Sequence, residues 1–213
     1  TSAMTQLGRY LHFTELLKAR GMEIPIKHCS NSAGIIDLPQ ANLNCVRAGI
    51  TMYGMYPSEE VQKDKVPLKP ALGLKSFVTY VKELGPGEEI SYGGTYVTER
   101  TMRIATVAVG YGDGYPRSLS NCGYVLICGK RARILGRVCM DQLMVDVTDI
   151  LEADVDTPVT LIGKDGDEEI TMEHLAELCG GFHYEMVCDI GKRVPRVYYR
   201  GGKVVGTMDC FTE

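Results

Sequence analysis

The spacing of apolar residues predicts a helix and then a strand at the start of the chain. Apolar side chains recur at roughly helical spacing over residues 5–20, with Thr5 placed to cap the helix and Gly21 placed to end it. The apolar run Ile24–Cys29 follows and predicts a short buried strand. That strand would end in the polar turn Ser30–Ser32, whose residue types favour helix caps and exposed backbone N–H groups.

A second apolar segment, residues 45–53, carries the single charge of Arg47. With it, the order of elements becomes helix, strand, turn, helix and strand, which is typical of an α/β barrel. A complete (β/α)8 barrel needs roughly 250 residues. We therefore interpret residues 1–56 as the terminal units of such a barrel, and the polar, proline-broken residues 57–70 as a linker.

After residue 71 the pattern changes to a period of two, which predicts strands. Alternating runs begin at Leu74 and Met102. The first run predicts Leu74, Ser76, Val78 and Tyr80 on one face and Lys75, Phe77, Thr79 and Val81 on the other. Turn-forming residues separate the runs at 85–87, 112–114, 128–130, 164–167 and 200–203. We expect residues 71–213 to form an all-β, barrel-like or Greek-key domain.

One helix is predicted within this β domain. Thr171 is placed to cap its start, Leu175 and Leu178 would line its inner side, and Gly180–Gly181 would end it. The fold class is therefore α/β plus all-β.

Charge and hydropathy argue against two kinds of partner. The 23 basic and 27 acidic residues are interspersed and leave a net charge of −4, so no basic face for nucleic acid is expected. Apolar runs such as 125–128, and apolar stretches such as 194–199 that Arg196 interrupts, are far shorter than the roughly 20 residues of a spanning helix, so no membrane segment is expected. Residues 1–4 do not resemble a signal peptide and suggest a cut upstream of a helix.

The cysteines and histidines predict neither a disulfide framework nor a metal site. The eight cysteines contain no Cys-x-x-Cys pair, and the four histidines form no metal-binding spacing. Most of the cysteines lie inside apolar runs, as small hydrophobic residues do. We expect reduced thiols and a cytoplasmic protein.

Four short motifs carry a resemblance to a known family. They occur in this order: His28-Cys29-Ser30-Asn31-Ser32; Arg47-Ala48-Gly49-Ile50 with Tyr53-Gly54; Ser91-Tyr92-Gly93-Gly94-Thr95-Tyr96; and Gly136-Arg137-Val138-Cys139-Met140-Asp141. Together they resemble alanine racemase, from about residue 5 to residue 199, and match only the later half of that family's polypeptide.

The resemblance implies a pyridoxal 5′-phosphate-dependent isomerase that interconverts L-alanine and D-alanine for bacterial cell-wall (peptidoglycan) synthesis. In that family a lysine near the start of the barrel binds the cofactor covalently. The motif around that lysine is missing from this sequence. We therefore expect the chain by itself to be inactive, although the parent protein would be a racemase.

The resemblance assigns seven residues to the cofactor: His28, Asn31, Ser32, Arg47, Gly49, Ile50 and Tyr184. Ser32, the Gly49–Ile50 backbone and Tyr184 would bind the phosphate, since backbone N–H groups and hydroxyls suit that anion. Arg47 would face the pyridine nitrogen. A guanidinium only donates hydrogen bonds, so it would keep that nitrogen an acceptor and weaken the ring as an electron sink.

Tyr92 is the predicted catalytic residue. Racemisation removes the α-proton from one face and returns one to the other, so it requires two acid–base groups on opposite sides. In the family, the lysine serves one face and this tyrosine the other. Without the accompanying motifs, Tyr92 would be interpreted as a strand-end tyrosine that packs its ring and exposes its hydroxyl.

The resemblance also assigns residues to the substrate and its access channel: Tyr111, Arg117, Arg137, Met140 and Asp141. The main chain of Met140 would contact the amino-acid carboxylate, and the two arginines would attract it. Equally, both arginines are interpretable as surface charges on loops. In this family the subunits form a head-to-tail homodimer, so Tyr92 and Met140 would complete the partner subunit's site.

Two alternatives remain open from the sequence. A serine or broad-specificity amino-acid racemase would share the tyrosine and the β domain. From a different class, the chain would be a non-catalytic β module for dimerisation. In either case, we expect the barrel remnant to be swapped, paired with another chain or loosely ordered.

Overall fold

The computed structural model describes residues 2–211, so the predicted cut at Thr1 lies outside them. The chain divides into two compact units, the first ending at Leu72 and the second beginning at Gly73. The first unit contains helices and turns, and the second contains the sheet.

Two helices form the first unit: α1, Ser2–Ala19, and α2, Ser32–Asp37. Helix α1 starts earlier than predicted and includes Thr5, which is therefore not its N-cap. Its C-terminal end agrees with the sequence, because Gly21 adopts φ +77° and its N–H donates to Lys18 O over 2.9 Å. Short 3-10 turns follow at Pro39–Ala41, Ile50–Tyr53 and Lys63–Lys65.

The predicted buried strand at residues 24–29 is wrong. No strand is assigned there, and the Ile26 side chain is 65% exposed. The Asn44 side chain accepts from Lys27 N–H over 2.7 Å and donates to Pro25 O over 2.7 Å. A strand needs a neighbouring strand for its backbone, and here one amide side chain provides the partners instead.

Residues 57–70, predicted as a linker, are connected to the first unit through Tyr56. Its hydroxyl donates to Lys63 O or Val66 O, at 3.2 and 3.1 Å, and accepts from Leu68 N–H at 3.1 Å. The backbone groups of this irregular segment thus find partners without a helix or strand.

A closed antiparallel sheet forms the core of the second unit. Its strands are β1 Leu74–Leu84, β4 Met102–Val107, β5 Tyr124–Ile127, β6 Lys130–Leu135, β7 Leu143–Asp146, β8 Pro158–Asp165 and β9 Glu168–Ile170. They follow the ring order β1, β4, β7, β6, β5, β8, and β8 pairs again with β1, while β9 extends β8 on one side. Closure removes the unpaired strand edges that promote aggregation.

Aliphatic side chains from every strand of the ring fill its interior. Burying each leucine or isoleucine contributes about 1.5–3 kcal/mol, so this interior dominates the stability of the unit. Fully buried residues of these strands, on one or the other face of the sheet, are Val78, Ala105, Val107, Val125, Leu126, Ile127, Ala132, Leu143, Val145, Val159 and Leu161.

The register of β1 shifts between Val78 and Tyr80. Val78 pairs with Val107, whereas Tyr80 pairs with Thr106, so Thr79 is an extra residue in the strand. Leu74 and Val78 are buried as predicted, but Tyr80 is 57% exposed. The prediction that Tyr80 shares one face with Val78 is wrong, because a bulge reverses the alternation that follows it.

Two helices follow the barrel: α3, Met172–Cys179, and α4, His183–Asp189. As predicted, the Thr171 hydroxyl caps α3 by accepting from His174 N–H over 3.1 Å, and Gly180 ends it in the left-handed conformation. Strands β10, Arg196–Arg200, and β11, Lys203–Met208, then form a separate hairpin. Over residues 2–211, no helix combines the length and the apolar character required to cross a membrane.

Candidate active site

Tyr92 lies on a short turn between the two smallest strands, β2, Glu89–Ile90, and β3, Tyr96–Val97. Its side chain is 72% exposed, so the phenol is accessible to a partner or a ligand. The preceding residue, Ser91, has φ 67° and ψ 177°, a region that essentially only glycine populates. The chain therefore makes an unfavourable backbone conformation directly before the predicted catalytic residue.

The segment Arg137–Asp141 lies beside this turn and organises its surroundings. Arg137 O accepts from the Ser91 hydroxyl over 2.7 Å. The Arg137 guanidinium approaches the turn so closely that a Cβ on Gly93 would lie 3.4 Å from its Nη1. The Tyr92 phenol and the Arg137 cation therefore project from adjacent backbone.

The turn Tyr111–Asp113 packs on the other side of the same segment. Tyr111 N–H donates to Cys139 O over 3.0 Å, and Gly112 N–H donates to Met140 O over 2.7 Å. Asp113 stabilises the turn by accepting from Gly110 N–H over 2.9 Å and by pairing with Arg193 over 2.8 Å. Tyr111 and Met140, both largely exposed, are thus held close to each other.

Arg117 connects to the segment less directly. The Ser120 hydroxyl donates its proton to Arg117 O, and Ser120 Oγ in turn accepts from Val138 N–H over 3.0 Å. The Arg117 and Asp141 side chains are exposed. Arg137 thus contacts the Tyr92 turn directly, through the Ser91 hydroxyl. Tyr111 is joined by its backbone to the Arg137–Asp141 segment, which contains Met140, and Arg117 is linked to that segment through Ser120.

In the first unit, Ser32 gathers the residues predicted to bind phosphate. Its buried hydroxyl oxygen accepts from Gly49 N–H at 3.3 Å and from Thr51 N–H at 3.5 Å, and it lies 3.3 Å from Thr51 Oγ1. Ile50 begins the 3-10 turn that carries these amides. Two hydroxyls and the amides of one turn therefore lie together, a set of donors that suits an anion.

Arg47 contacts His28, a further residue of the first unit that is predicted to bind the cofactor. Arg47 Nη1 lies 2.7 Å from His28 Nδ1, and Nη2 donates to Cys29 O over 3.4 Å. Because a guanidinium has no acceptor, a hydrogen bond between these two atoms makes Arg47 the donor and His28 Nδ1 the acceptor. These two contacts orient the Arg47 guanidinium, and the side chain remains exposed.

Arg47 and Asn31 also line an open cleft of about 590 Å³ in the first unit. Asn31 has a structural function as well, because its Oδ1 caps helix α2 by accepting from Gly34 N–H over 3.0 Å. Ser30 Oγ, on the same wall, is buried and has no hydrogen-bond partner among the described residues. A buried hydroxyl without a partner is costly and indicates a missing polar group.

Tyr184, the last predicted cofactor residue, lies in helix α4 of the second unit. Its ring stacks on Phe182 with a centroid distance of 4.7 Å and meets the edge of His183 at 4.9 Å. Burial raises the pKa of the Tyr184 phenol above its ordinary value, so the hydroxyl stays protonated and able to donate.

The sequence predicts neither a disulfide framework nor a metal site. The eight cysteines are free thiols. Nowhere between residues 2 and 211 do three His, Cys, Asp or Glu side chains gather closely enough to hold a metal ion.

Sequence reasoning missed three polar residues of the site: Thr51, Ser91 and Asn121. Ser91 belongs to a quoted motif, but nothing in its residue type indicates a positive φ. Asn121, at φ 62°, was detectable in principle, because asparagine is the residue other than glycine that most readily adopts this conformation.

Two family models match the chain. The model described as alanine racemase, C-terminal domain, matches residues 71–198, and the model described as alanine racemase, N-terminal domain, matches residues 1–57. The predicted fold class, the end of an α/β barrel followed by an all-β domain, is thereby confirmed.

Curated relatives agree with these models. An alanine racemase of Halothermothrix orenii is 51% identical over 193 residues, which are 91% of this chain and 51% of the relative. One from Methanococcus maripaludis is 47% identical over 198 residues, which are 93% of this chain and 53% of the relative. The chain thus spans about half the length of the curated relatives it matches.

Solved structures are also similar. Alanine racemase from Clostridium difficile in complex with cycloserine aligns with a TM-score of 0.92 at 40% identity, covering 99% of this chain and 55% of that one. The enzyme from Bacillus anthracis with bound L-Ala-P aligns with a TM-score of 0.89 at 41% identity, covering 96% of this chain and 52% of that one. The motifs around Arg47, Tyr92 and Met140, the closed β domain and these matches agree: the chain belongs to the alanine racemase family.

Proposed function

We propose that the protein containing this chain interconverts L- and D-alanine with pyridoxal 5′-phosphate, and that Tyr92 exchanges the α-proton on one face of the substrate. The observation that carries the proposal is the Tyr92 turn. It presents an exposed phenol, its Gly93 backbone lies against the Arg137 guanidinium, and an unfavourable backbone conformation at Ser91 precedes it. Strained backbone of this kind concentrates at functional sites.

The acid–base function of Tyr92 follows from its chemistry. Pyridoxal phosphate, when bound, withdraws electrons from the α-carbon of an amino acid and so acidifies the α-proton. A phenol has an ordinary pKa near 10, which is much closer to that task than the pKa of a serine hydroxyl. Tyr92 would take or return the proton on its own face, and a lysine would serve the other face. In this proposal the lysine lies in the half of the family's polypeptide that the chain does not span.

The residues of the first unit fit the phosphate of this cofactor. Ser32 and Thr51 place two hydroxyl donors at one turn, and the N–H groups of Gly49 and Thr51, which donate to Ser32 Oγ in this structure, would donate to the phosphate once it binds. The buried Ser30 hydroxyl, which lacks a partner among the described residues, supports a polar ligand in the adjacent cleft. The Tyr184 hydroxyl stays protonated and able to donate, and its assignment to the phosphate stays a prediction.

Arg47 would keep the pyridine nitrogen unprotonated. Its guanidinium is permanently charged and only donates, so a ring nitrogen facing it must accept. The contact with His28 Nδ1 fixes the direction of the guanidinium. Restraining the electron withdrawal of the ring in this way favours racemisation over side reactions such as transamination.

The substrate carboxylate would be bound beside Tyr92. The Met140 carbonyl already accepts from Gly112 N–H, so the Met140 N–H is the backbone group suited to an anion. Arg137, which is exposed next to the turn, would attract the carboxylate, with Arg117, Tyr111 and Asp141 lining the approach.

We further propose that the active enzyme is a homodimer, in which Tyr92 and Met140 complete the partner subunit's site. A cytoplasmic location belongs to the same proposal and is supported by the free state of the eight cysteines. An acid–base group in trans would make catalysis depend on subunit association.

The test is racemisation by the full-length polypeptide with added pyridoxal phosphate, followed by circular dichroism with L-alanine and with L-serine as substrates. Acid–base catalysis by one side chain contributes about 10²–10⁴-fold, so Tyr92→Phe is expected to slow L-alanine racemisation by that factor. Tyr80→Phe is the matched control, because Tyr80 is an exposed tyrosine of the same unit and is expected to leave the rate unchanged.

Three outcomes would change the proposal. Racemisation by Tyr92→Phe at the unmodified rate would remove Tyr92 from the chemistry. Faster turnover of L-serine than of L-alanine would replace the substrate. No racemisation of either substrate would favour a non-catalytic module.

A further inference from the structure

Two side chains connect the Tyr92 turn to the segment that carries Arg137 and Met140. They are Ser91 and Asn121, and we call them the bridging residues. The Ser91 hydroxyl donates to Arg137 O over 2.7 Å and lies 3.4 Å from Cys139 Sγ. Ser91 therefore fixes the beginning of the turn to the middle of the segment.

Asn121 makes the second connection, at the other end of the turn. Its Nδ2 lies within hydrogen-bond distance of both acceptors of Thr95, the carbonyl oxygen at 3.3 Å and Oγ1 at 3.2 Å. Its Oδ1 accepts from Gly136 N–H over 2.6 Å. A single amide thus bridges the end of the turn and the start of the Arg137 segment.

The backbone at these positions is adapted to the connections. Both bridging residues have positive φ, 67° for Ser91 and 62° for Asn121. Gly136 passes so close to the turn that a Cβ there would lie 2.5 Å from Ile90 O and 2.7 Å from Ser91 Cβ. Conformations that are unfavourable for an isolated chain persist only where surrounding contacts enforce them. Here those contacts all join the same two segments.

We propose that Ser91 and Asn121 are positioning residues, which hold the Tyr92 turn and the Arg137–Asp141 segment as one rigid body. The phenol that exchanges the proton and the groups that bind the carboxylate then keep a fixed separation. The inference rests on the proposed racemase function for its catalytic consequence, whereas the rigidity itself concerns this chain only. Neither residue would touch the substrate.

Substitutions at Ser91 separate positioning from stability. Ser91→Gly removes the hydroxyl but also relieves the positive φ, so it is expected to unfold at the same temperature as the unmodified protein or higher. Ser91→Ala removes the hydroxyl and keeps the unfavourable conformation. If the hydroxyl positions the turn, both variants lose activity although only one loses stability.

Two substitutions at Asn121 separate the contributions of its two hydrogen-bonding groups. Asn121→Asp keeps an acceptor for Gly136 N–H and removes the donor to Thr95, whereas Asn121→Ala removes both. The aspartate variant is expected to lie between the unmodified protein and the alanine variant. Ser76→Ala is the matched control, because the Ser76 hydroxyl also donates to a backbone carbonyl of the second unit, Ala108 O at 2.9 Å.

The experiment combines two readouts. Amide hydrogen exchange of residues 90–97 is measured in this chain without cofactor, and kcat and KM for L-alanine are measured in the full-length polypeptide. Misplacement of a reacting group by about 1 Å costs about 100-fold in rate, so Ser91→Gly is expected to exchange about tenfold faster and to lower kcat by roughly 10–100-fold with little change in KM. Ser76→Ala should change neither readout.

The outcomes distinguish this inference from the proposed function. Unchanged exchange in both Ser91 variants would overturn the rigidity. Faster exchange with unchanged kcat, or losses of kcat that simply follow unfolding temperature, would overturn the positioning. An unmodified full-length protein that racemises no substrate would defeat the proposed function and the catalytic part of the inference, while the exchange data would still decide whether the bridging residues hold the turn.

Discussion

At the residue scale, Ser91 adopts a backbone conformation that lowers the stability of the fold at the start of the Tyr92 turn. Its backbone conformation costs about 1–3 kcal/mol for a residue with a Cβ. The hydrogen bond to Arg137 O offsets about 1 kcal/mol of that. The unfavourable conformation lies at the residue directly before Tyr92, whose side chain is 72% exposed.

Tyr115 is a second residue with a local cost. It is buried in the second unit, and its hydroxyl has no hydrogen-bond partner among the described residues. Burial also raises the pKa of the Tyr115 phenol far above its ordinary value, so the group stays neutral. We predict that Tyr115→Phe raises the unfolding temperature by about 2–4 °C, because an unsatisfied buried hydroxyl costs roughly 1 kcal/mol or more.

The contrasting variant is Tyr56→Phe. The Tyr56 hydroxyl has Lys63 O, Val66 O and Leu68 N–H as partners, so its loss should destabilise the first unit by about 1 kcal/mol. Thermal unfolding by circular dichroism compares the two. A Tyr115→Phe protein that melts lower than the unmodified protein would mean that the hydroxyl has a partner, such as a buried water.

Site residues within contiguous sequence motifs could be predicted, whereas a residue defined by contacts distant in sequence could not. Arg47, Tyr92 and Met140 stand in contiguous motifs that match a family, so their assignment needed no structure. Asn121 belongs to no such motif, and its two partners, Thr95 and Gly136, are distant in sequence. Long-range side-chain contacts of this kind depend on the register of the sheet, which local patterns do not encode.

At the element scale, regular periodicity predicted strands and helix α3 well, whereas interruptions of the pattern were invisible. Alternation identified β1 and β4, and capping residues identified α3. The bulge at Thr79 was not predictable, because an extra residue is defined only by the partner strand. The false strand at residues 24–29 has the same origin, since an apolar run forms a strand only beside another strand.

The cap of α3 provides a test at this scale. Thr171 accepts from His174 N–H over 3.1 Å at the start of a helix of eight residues. Removing such a cap costs about 0.5–2 kcal/mol, so Thr171→Ala should lower the unfolding temperature of the second unit by roughly 2–6 °C. Thr171→Ser keeps the acceptor and should melt close to the unmodified protein.

The exposed Thr101 is the control for this prediction, and Thr101→Ala should leave the melting temperature within about 1 °C. Equal losses for Thr171→Ser and Thr171→Ala would show that the methyl group, and not the hydroxyl, stabilises the helix start.

At the scale of the whole molecule, the chain spans about half the length of its curated relatives. Its two compact units carry different parts of the proposed chemistry. The first presents donors for a phosphate and a guanidinium for a ring nitrogen. The second presents the phenol, a cation and a backbone amide for the substrate. In the proposed mechanism, Tyr92 of this chain exchanges the α-proton on one face of the α-carbon, and a lysine outside the chain exchanges it on the other face.

Exchange of the alanine α-proton with deuterated water tests that division most directly. The full-length Tyr92→Phe variant is incubated with pyridoxal phosphate and with L-alanine or D-alanine separately, and deuterium incorporation is followed by NMR. Because the lysine would still serve its own face, the account predicts that one enantiomer exchanges its α-proton while the other does not, and that racemisation is slower by about 100-fold or more. Exchange lost equally from both enantiomers, or retained in both together with racemisation, would contradict a two-base mechanism in which Tyr92 is one of the bases.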